Sequence, residues 1–172
     1  YFAILLWVII LNIEIDKFKL SILETISRHD ILHTLLKLDE YGNGYQEICE
    51  LSEYPFLIIS HTVRNQSELD LLINKDANGI FNVSKEYPIR VSLFERVDIF
   101  ELYVSIVVHH VAFDGWSIDI FLRDICEYYS YYIRKVKDHK AKLNLPELDI
   151  QYKDFAIWQR SSLRGDKLKA EL

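Results

Sequence analysis

Two adjacent histidines, His109 and His110, stand at the end of a long apolar run, and Asp114-Gly115 follows after three intervening residues. The imidazole ring has an unperturbed pKa of about 6.5, so it can take up and release a proton near neutral pH. A nearby carboxylate can orient such a ring or pair with it. This pattern indicates general base catalysis by one histidine, with Asp114 as its orienting or structural partner.

Two other interpretations of the pair stay open at this point. Both rings could lie in the core with their hydrogen bonds satisfied, as histidines beside apolar residues commonly do. The pair could also bind a metal together with Asp114, but adjacent strand residues diverge, and neither Cys49 nor Cys126 lies nearby in the sequence. The sequence therefore predicts no metal site at the pair.

The run before the pair predicts a central strand. Residues 102–108 carry no charge and are rich in β-branched and aromatic types, with apolar side chains on both alternating faces. If the strand continued through the pair, His109 and His110 would point to opposite faces, because side chains alternate along a strand. Only one of the two rings could then face a given cavity.

A turn and a helix are expected after the pair. Asp114-Gly115 favours a turn in which the glycine takes a positive φ, and Ser117 fits an N-cap with Asp119 in the first helical turn. Apolar and tyrosine side chains then recur at helical spacing over about residues 117–135. The unit is therefore predicted to be strand, turn and amphipathic helix.

Strands and helices alternate along the rest of the chain, which predicts a single α/β lobe (an α+β layered sandwich). The apolar run 2–11 is shorter than the roughly 20 residues of a membrane span and predicts a buried strand. The other expected elements are a helix capped by Asp16 and ending near Arg28, a hairpin around Asn43-Gly44, a strand at 56–59, a helix at 67–78 and a strand at 89–97.

The stretch from His109 to Ser117 resembles the HHxxxDG signature of condensation domains from nonribosomal peptide synthetases. Acyltransferases related to chloramphenicol acetyltransferase carry a similar but shorter pattern. Other segments follow in the family's order, and they resemble RHExLRT at 27–34, Q-x-I at 46–48, PFDL at 81–83 with P-L-x-R-x-x-L at 88–93, and QYxDYAxWQR at 151–160. The departures are Asp30 for Glu, His33 for Arg, Ile80 for Pro and Asn82 for Asp.

The resemblance implies a chloramphenicol acetyltransferase-like lobe, with a mixed sheet and flanking helices. Residues 1–172 would be the N-terminal lobe, and a C-terminal lobe would complete a V-shaped enzyme. The family joins a donor acyl or peptidyl thioester to an acceptor aminoacyl thioester, both held on phosphopantetheine arms of carrier domains, with an adenylation domain downstream. It implies an acyltransferase without a metal or bound cofactor of its own, inactive as an isolated lobe.

The resemblance also implies roles for the signature residues. His110 would be the catalytic residue, acting as a base on the amine or positioning it. His109 would be structural, Asp114 an architectural residue paired with an arginine of the other lobe, and Gly115 a point of close backbone approach. Trp116 is expected to be a packing anchor beside Ser117.

Residues outside the signature receive simpler roles. Arg28 is expected to interact with the end of a helix rather than with substrate. His29 and His33 would share a helix face if that helix continued, and a structural role is favoured over a metal pair. Tyr152 and Trp158 are expected in the core or as contacts to the other lobe.

Composition excludes some functions and leaves others. A net charge of −6 gives no reason to expect nucleic acid. Two cysteines and the absence of a signal peptide predict a cytoplasmic location, and the absence of methionine suggests a piece of a longer protein. An epimerisation domain of the same superfamily and a non-catalytic condensation-like interaction module are the alternatives.

Overall fold

The structure is a computed structural model that describes residues 3–10, by their backbone, and residues 13–162. It has six strands, four α-helices and a short 3₁₀ helix at Asp30–His33. The strands are β1 (Ala3–Ile10), β2 (Thr34–Leu38), β3 (Gly44–Ile48), β4 (Ile58–Val63), β5 (Ile89–Arg96) and β6 (Glu101–His109). The helices are α1 (Ile15–Arg28), α2 (Gln66–Asn78), α3 (Gly115–Lys137) and α4 (Tyr152–Ser162).

Four strands form a mixed sheet in the order β1-β6-β5-β4. Strand β6 is antiparallel to both of its neighbours, whereas β4 and β5 are parallel. Its register pairs Val108 with Ile89 on one side and His109 with Ala3 on the other. The predicted central strand is confirmed, and β2 and β3 form a separate hairpin.

Both faces of the sheet are covered, as predicted from the apolar side chains on both faces of β6. Helices α1 and α3 pack on one face, where Ile22 and Phe121 are almost fully buried among alternate residues of β5 and β6. Helix α2 packs on the other face, where Leu69 contacts Phe94. Phe113, which lies in the turn after β6, meets Phe121 edge to face at 5.7 Å between ring centroids.

Several predicted boundaries shift. The helix α1 begins after Glu14, so Asp16 lies in the first turn rather than at the cap. Strand β4 begins at Ile58, and Phe56 lies before it, stacked on Tyr87. Of the predicted N-terminal strand, the backbone over Ala3–Ile10 is a strand, whereas residues 2 and 11 and all side chains of the run lie outside the described residues.

The RHExLRT-like segment does not continue α1. The helix ends at Arg28, His29 is in an extended conformation, and the 3₁₀ helix follows. The i, i+4 helical relation of His29 and His33 is therefore wrong. The ring of His33 is instead buried, and its Nδ1 donates to the carbonyl of Cys49 at 2.8 Å.

A buried carboxylate, Asp124, ties the end of α1 to the middle of α3. Its oxygens accept hydrogen bonds from Arg28 Nε at 3.0 Å, from His29 Nε2 at 2.9 Å and from Arg123 Nη2 at 2.7 Å. Burial alone would raise the pKa of Asp124, but the hydrogen bonds from Arg123 and His29 outweigh it and hold that pKa below its usual value. Burial lowers the pKa of His29 despite its bond to Asp124. The site is therefore an ionised carboxylate facing a neutral imidazole and two guanidinium groups.

We expect Phe121→Ala to lower the free energy of unfolding by about 3–5 kcal/mol, because truncation of a buried phenylalanine leaves a cavity between α3 and the sheet. Ile120→Ala is the matched control, since Ile120 is 44% exposed against 2% for Phe121. Urea unfolding of the purified protein measures both changes. Equal losses for the two variants would contradict the described packing.

We expect acid to destabilise the fold from about pH 6.5 downward. The pKa of His29 is lowered from 6.5, so the unfolded chain binds more protons than the folded chain below that pH. The contribution of Asp124 to stability is present above its unfolded pKa of 3.8 and is lost as the pH falls through its lower folded pKa.

The variant His29→Gln keeps a donor for Asp124 but cannot titrate, so its stability should fall less steeply between pH 7 and pH 5. His139→Gln is the control, because His139 is exposed in the segment after α3. Urea unfolding at each pH measures the slopes. A wild-type slope in His29→Gln would contradict the lowered pKa of His29.

Candidate functional site

The histidine pair lies where β6 ends and a turn begins. The backbone N–H of His109 donates to the carbonyl of Pro88 at 2.8 Å, and its ring Nδ1 accepts from the backbone N–H of Val111 at 3.0 Å. The ring of Phe81 meets that of His109 edge to face at 5.8 Å. These contacts make His109 part of the framework of the turn.

The ring of His110 has a different environment. Strand β6 stops at His109, and the N–H of Ala112 donates to the carbonyl of His109 at 3.0 Å, which closes a turn. The expected strand alternation through the pair is therefore wrong, and the turn itself separates the two rings. The residue His110 is exposed, and no described residue forms a hydrogen bond with its ring. The ring of His110 is therefore open to contact by a bound molecule.

The carboxylate of Asp114 caps the helix that follows the turn. Its Oδ1 accepts from the N–H and the hydroxyl of Ser117, at 2.9 and 2.7 Å, while its own N–H points to that hydroxyl oxygen. The predicted N-cap at Ser117 is wrong by three residues, because Ser117 is the other half of this capping box and Asp119 falls beyond the first turn. The hydrogen bonds from Ser117 hold the pKa of Asp114 below its usual value, and the charge of His110 adds to this effect.

Gly115 and Trp116 present an open surface at the start of α3. The φ of Gly115 is not positive, contrary to expectation, and a Cβ atom there would meet nothing within 4 Å. Trp116 is 87% exposed, so it is not a packing anchor among the described residues. Among the described residues, nothing sterically requires a glycine at Gly115 or packs around Trp116.

Two concave regions flank the turn. A cavity of about 270 Å³ lies behind it and is lined by Phe113, Ser117 and His29 together with apolar residues that include Leu148 and Ile150. A groove of about 550 Å³ opens on the other side, between the β2–β3 hairpin and α4, and Val111 lies in its wall. Turn residues thus line two concave regions, although His110 itself lines neither.

Helix α4 contributes an exposed aromatic row. Tyr152, Phe155 and Trp158 lie with successive ring centroids 5.9 and 5.7 Å apart, and α4 has no buried residue. Tyr152 and Trp158 are 44% and 60% exposed, so the prediction that they lie in the core is wrong within this lobe. Their prediction as contacts to another lobe stays a prediction.

Arg28 lies in the last turn of α1, as the sequence predicts, but its side chain reaches across to Asp124. Sequence reasoning missed Asp124. The sequence does contain a signal for it, because this acidic residue falls between Phe121 and Tyr128 at the spacing of the apolar face of the helix. Its partners Arg28 and His29 are 95 or more residues away along the chain.

Within the described chain, no cluster of three or more histidine, cysteine or acidic side chains has a metal-binding arrangement. In the same residues, no helix is long and apolar enough to cross a membrane.

The sequence matches known families and proteins. Residues 6–172 match the family model described as condensation domain. The chain is 37% identical over 145 residues to an N-(5-amino-5-carboxypentanoyl)-L-cysteinyl-D-valine synthase of Amycolatopsis lactamdurans, which covers 84% of this chain and 4% of that protein. It is 31% identical over 160 residues to a nonribosomal peptide synthetase of Metarhizium robertsii, with 93% of this chain and 2% of that protein covered. The chain thus spans only a small part of these relatives.

Solved structures share the fold. The X-domain from teicoplanin biosynthesis superposes with a TM-score of 0.81 at 21% identity, covering 96% of this chain and 34% of that one. The epimerization domain from the third module of tyrocidine synthetase B gives a TM-score of 0.78 at 20% identity, with 99% and 38% covered. These structures share the mixed sheet with flanking helices that the resemblance implies.

The exposed histidine turn, the fold of the lobe and the match over almost the whole chain agree with one another. The chain belongs to the condensation-domain family of nonribosomal peptide synthetases.

Proposed function

We propose that this chain is the N-terminal lobe of a condensation domain that forms an amide bond. An acceptor aminoacyl amine attacks the carbonyl carbon of a donor thioester, the C–N bond forms, and the thiolate of the donor carrier arm leaves. His110 takes the proton of the attacking amine or holds the amine in line for attack. The observation that carries this proposal is the exposed ring of His110 without a hydrogen-bond partner in the described chain.

A second, C-terminal lobe of the same domain would complete the site. The exposed Trp116, the open approach to Gly115 and the aromatic row of α4 are left uncovered by the residues that the structure describes. The solved structures with this fold extend well beyond the matched part, since this chain covers 34% and 38% of them. We assign these surfaces to contact with the second lobe and with the substrate between the lobes.

The capping box explains how Asp114 would support the reaction without taking part in proton transfer itself. Its carboxylate fixes the first turn of α3 and therefore the turn that carries His110. The arginine expected from the second lobe would pair with Asp114 and add to this structural role.

The substrates would arrive as thioesters on phosphopantetheine arms of donor and acceptor carrier domains, and an adenylation domain would supply the acceptor. We propose no metal or cofactor bound by the lobe itself, and no nucleic acid or membrane partner. Cys49 and Cys126 are both free thiols, which fits the proposed cytoplasmic location.

Epimerisation is the second candidate, because an epimerization domain shares this fold. In that reaction His110 would exchange a proton at the Cα of one carrier-bound residue, and no amide bond would form. A non-catalytic interaction module is the third. Incubation of the full-length protein with loaded carrier domains separates all three, since mass spectrometry detects a condensed product and chiral analysis detects inversion alone.

In the full-length protein, we expect His110→Ala to slow peptide formation by about 10²- to 10⁴-fold, as loss of acid–base catalysis does. His139→Ala is the control, because His139 is exposed outside the site. Single-turnover product formation by mass spectrometry measures both rates. A wild-type rate in His110→Ala would remove His110 from the catalytic role.

Substitution of Asp114 should separate its capping role from its charge. Asp114→Asn keeps an oxygen that accepts from Ser117, because asparagine caps helices about as well as aspartate. Asp114→Ala removes the cap and should cost about 0.5–2 kcal/mol of stability as well as activity. Thermal unfolding and turnover are measured together. If both variants lose stability equally, the capping box does not anchor α3.

The isolated lobe should show no condensation activity, because half of the substrate channel would be missing. Turnover by the purified 172-residue chain with loaded carrier domains tests this. Measurable product would contradict the proposed need for a second lobe.

A further inference from the structure

Helix α4 forms one wall of the groove beside the histidine turn, although none of its side chains is buried. A helix without buried apolar residues gains little from the hydrophobic effect, so its position depends on specific polar contacts. Two such contacts lie at its N-terminal end, in Gln151 and Lys153.

The side chain of Gln151 binds the backbone just before and just after the point where α1 ends. Its Nε2 donates to the carbonyl of Arg28 at 2.9 Å, and its Oε1 accepts from the backbone N–H of Asp30 at 3.2 Å. Its own backbone N–H donates to Asp154 Oδ2 at 2.9 Å, in the first turn of α4. One side chain thus joins α4 to the backbone of the RHExLRT-like segment.

Lys153 supplies a charged contact to the same segment. Its Nζ lies 2.7 Å from Asp30 Oδ2, and this pairing raises the pKa of Lys153. His33, which replaces the family's arginine, does not compete for Asp30, because its Nε2 lies 3.8 Å from Asp30 Oδ1 and forms no hydrogen bond. Lys153 is therefore the cation that pairs closely with Asp30.

The contacts continue into the buried part of the lobe. Arg28, whose carbonyl binds Gln151, uses its guanidinium to bind Asp124 on α3 and the carbonyl of Pro146 at 2.5 Å. A continuous set of polar contacts therefore runs from α3 through the end of α1 to α4. We name Gln151, Lys153 and Asp30 the α4 anchor.

We propose that the α4 anchor is a set of positioning residues that holds α4 against the histidine turn and so sets the shape of the groove beside His110. This inference rests on the proposed function, in which that groove receives part of the carrier-bound substrate. Among the described residues, no hydrogen bond or ion pair joins the anchor to His110 or its turn, although Lys153 itself lines the groove. The anchor acts through the placement of the groove wall, which Ile157 of α4 forms together with Leu36 of β2 and Val111 of the turn.

Loss of the anchor should therefore change substrate binding and not overall stability. In the full-length protein, Lys153→Met should raise KM for the loaded carrier domain by about 10-fold with kcat within about 3-fold, because the groove contacts substrate and transition state alike. The melting temperature should stay within about 2 °C, since an exposed ion pair contributes little. Hydrogen–deuterium exchange of α4 should become faster.

Three further variants make the test specific. Lys153→Arg should keep wild-type KM, and the charge reversal Asp30→Lys with Lys153→Asp should recover most of the KM lost in Lys153→Met. Gln151→Leu should behave like Lys153→Met. Lys140→Met, in the exposed segment after α3, is the control for loss of one positive charge.

Wild-type KM and wild-type exchange of α4 in Lys153→Met and Gln151→Leu would overturn the inference. Faster exchange with an unchanged KM would also overturn it, because α4 would then be loosened without consequence for the groove. The exchange measurement needs no turnover. Failure of the proposed function, seen as wild-type activity in His110→Ala, is therefore distinguishable from failure of the anchor.

Discussion

Strand β6 is paired on both sides, with β1 and with β5, and the position of the candidate site depends on this pairing. Both faces of β6 are also covered, so a slip by one residue would exchange the packing partners of Val104, Ser105 and Ile106. The register is therefore fixed. Because the strand ends at His109 in this register, the turn and the ring of His110 are presented at one defined place.

Helix α3 follows this turn and connects it to the end of α1. Its start is fixed by the capping box of Asp114, and its middle is fixed by the buried carboxylate of Asp124. A buried charge costs free energy unless it is paired, and Asp124 offsets that cost with Arg28, His29 and Arg123. The end of α1 is therefore held where α4 and the segment before it can attach.

The parts of the fold that were predicted from sequence are those determined by nearby residues. The hairpin at Asn43-Gly44, the helix α2 and the strand β6 all follow from local patterns, and the structure confirms them. The cap of α3 was misplaced because Asp114 and Ser117 are both good capping residues, and only the geometry shows that they act together.

Other errors came from contacts that a pattern along the chain does not contain. Asp124 was missed because its partners are distant in sequence. Trp116 was expected to be a packing anchor, and Trp158 to lie in the core or to contact the other lobe, yet nothing within the described residues covers either side chain. The same exposure is what the proposed second lobe would explain, since large apolar surface around a reactive group marks an interface.

The most direct measurement is a structure of the complete domain with a non-hydrolysable aminoacyl-phosphopantetheine analogue bound as acceptor. If His110 acts on the attacking amine, its ring nitrogen will lie within hydrogen-bond distance of that amine, about 2.6–3.2 Å or one bridging water away. An acceptor amine that lies beyond such reach of His110, with another side chain in contact with it, would contradict the assignment of the chemistry to His110.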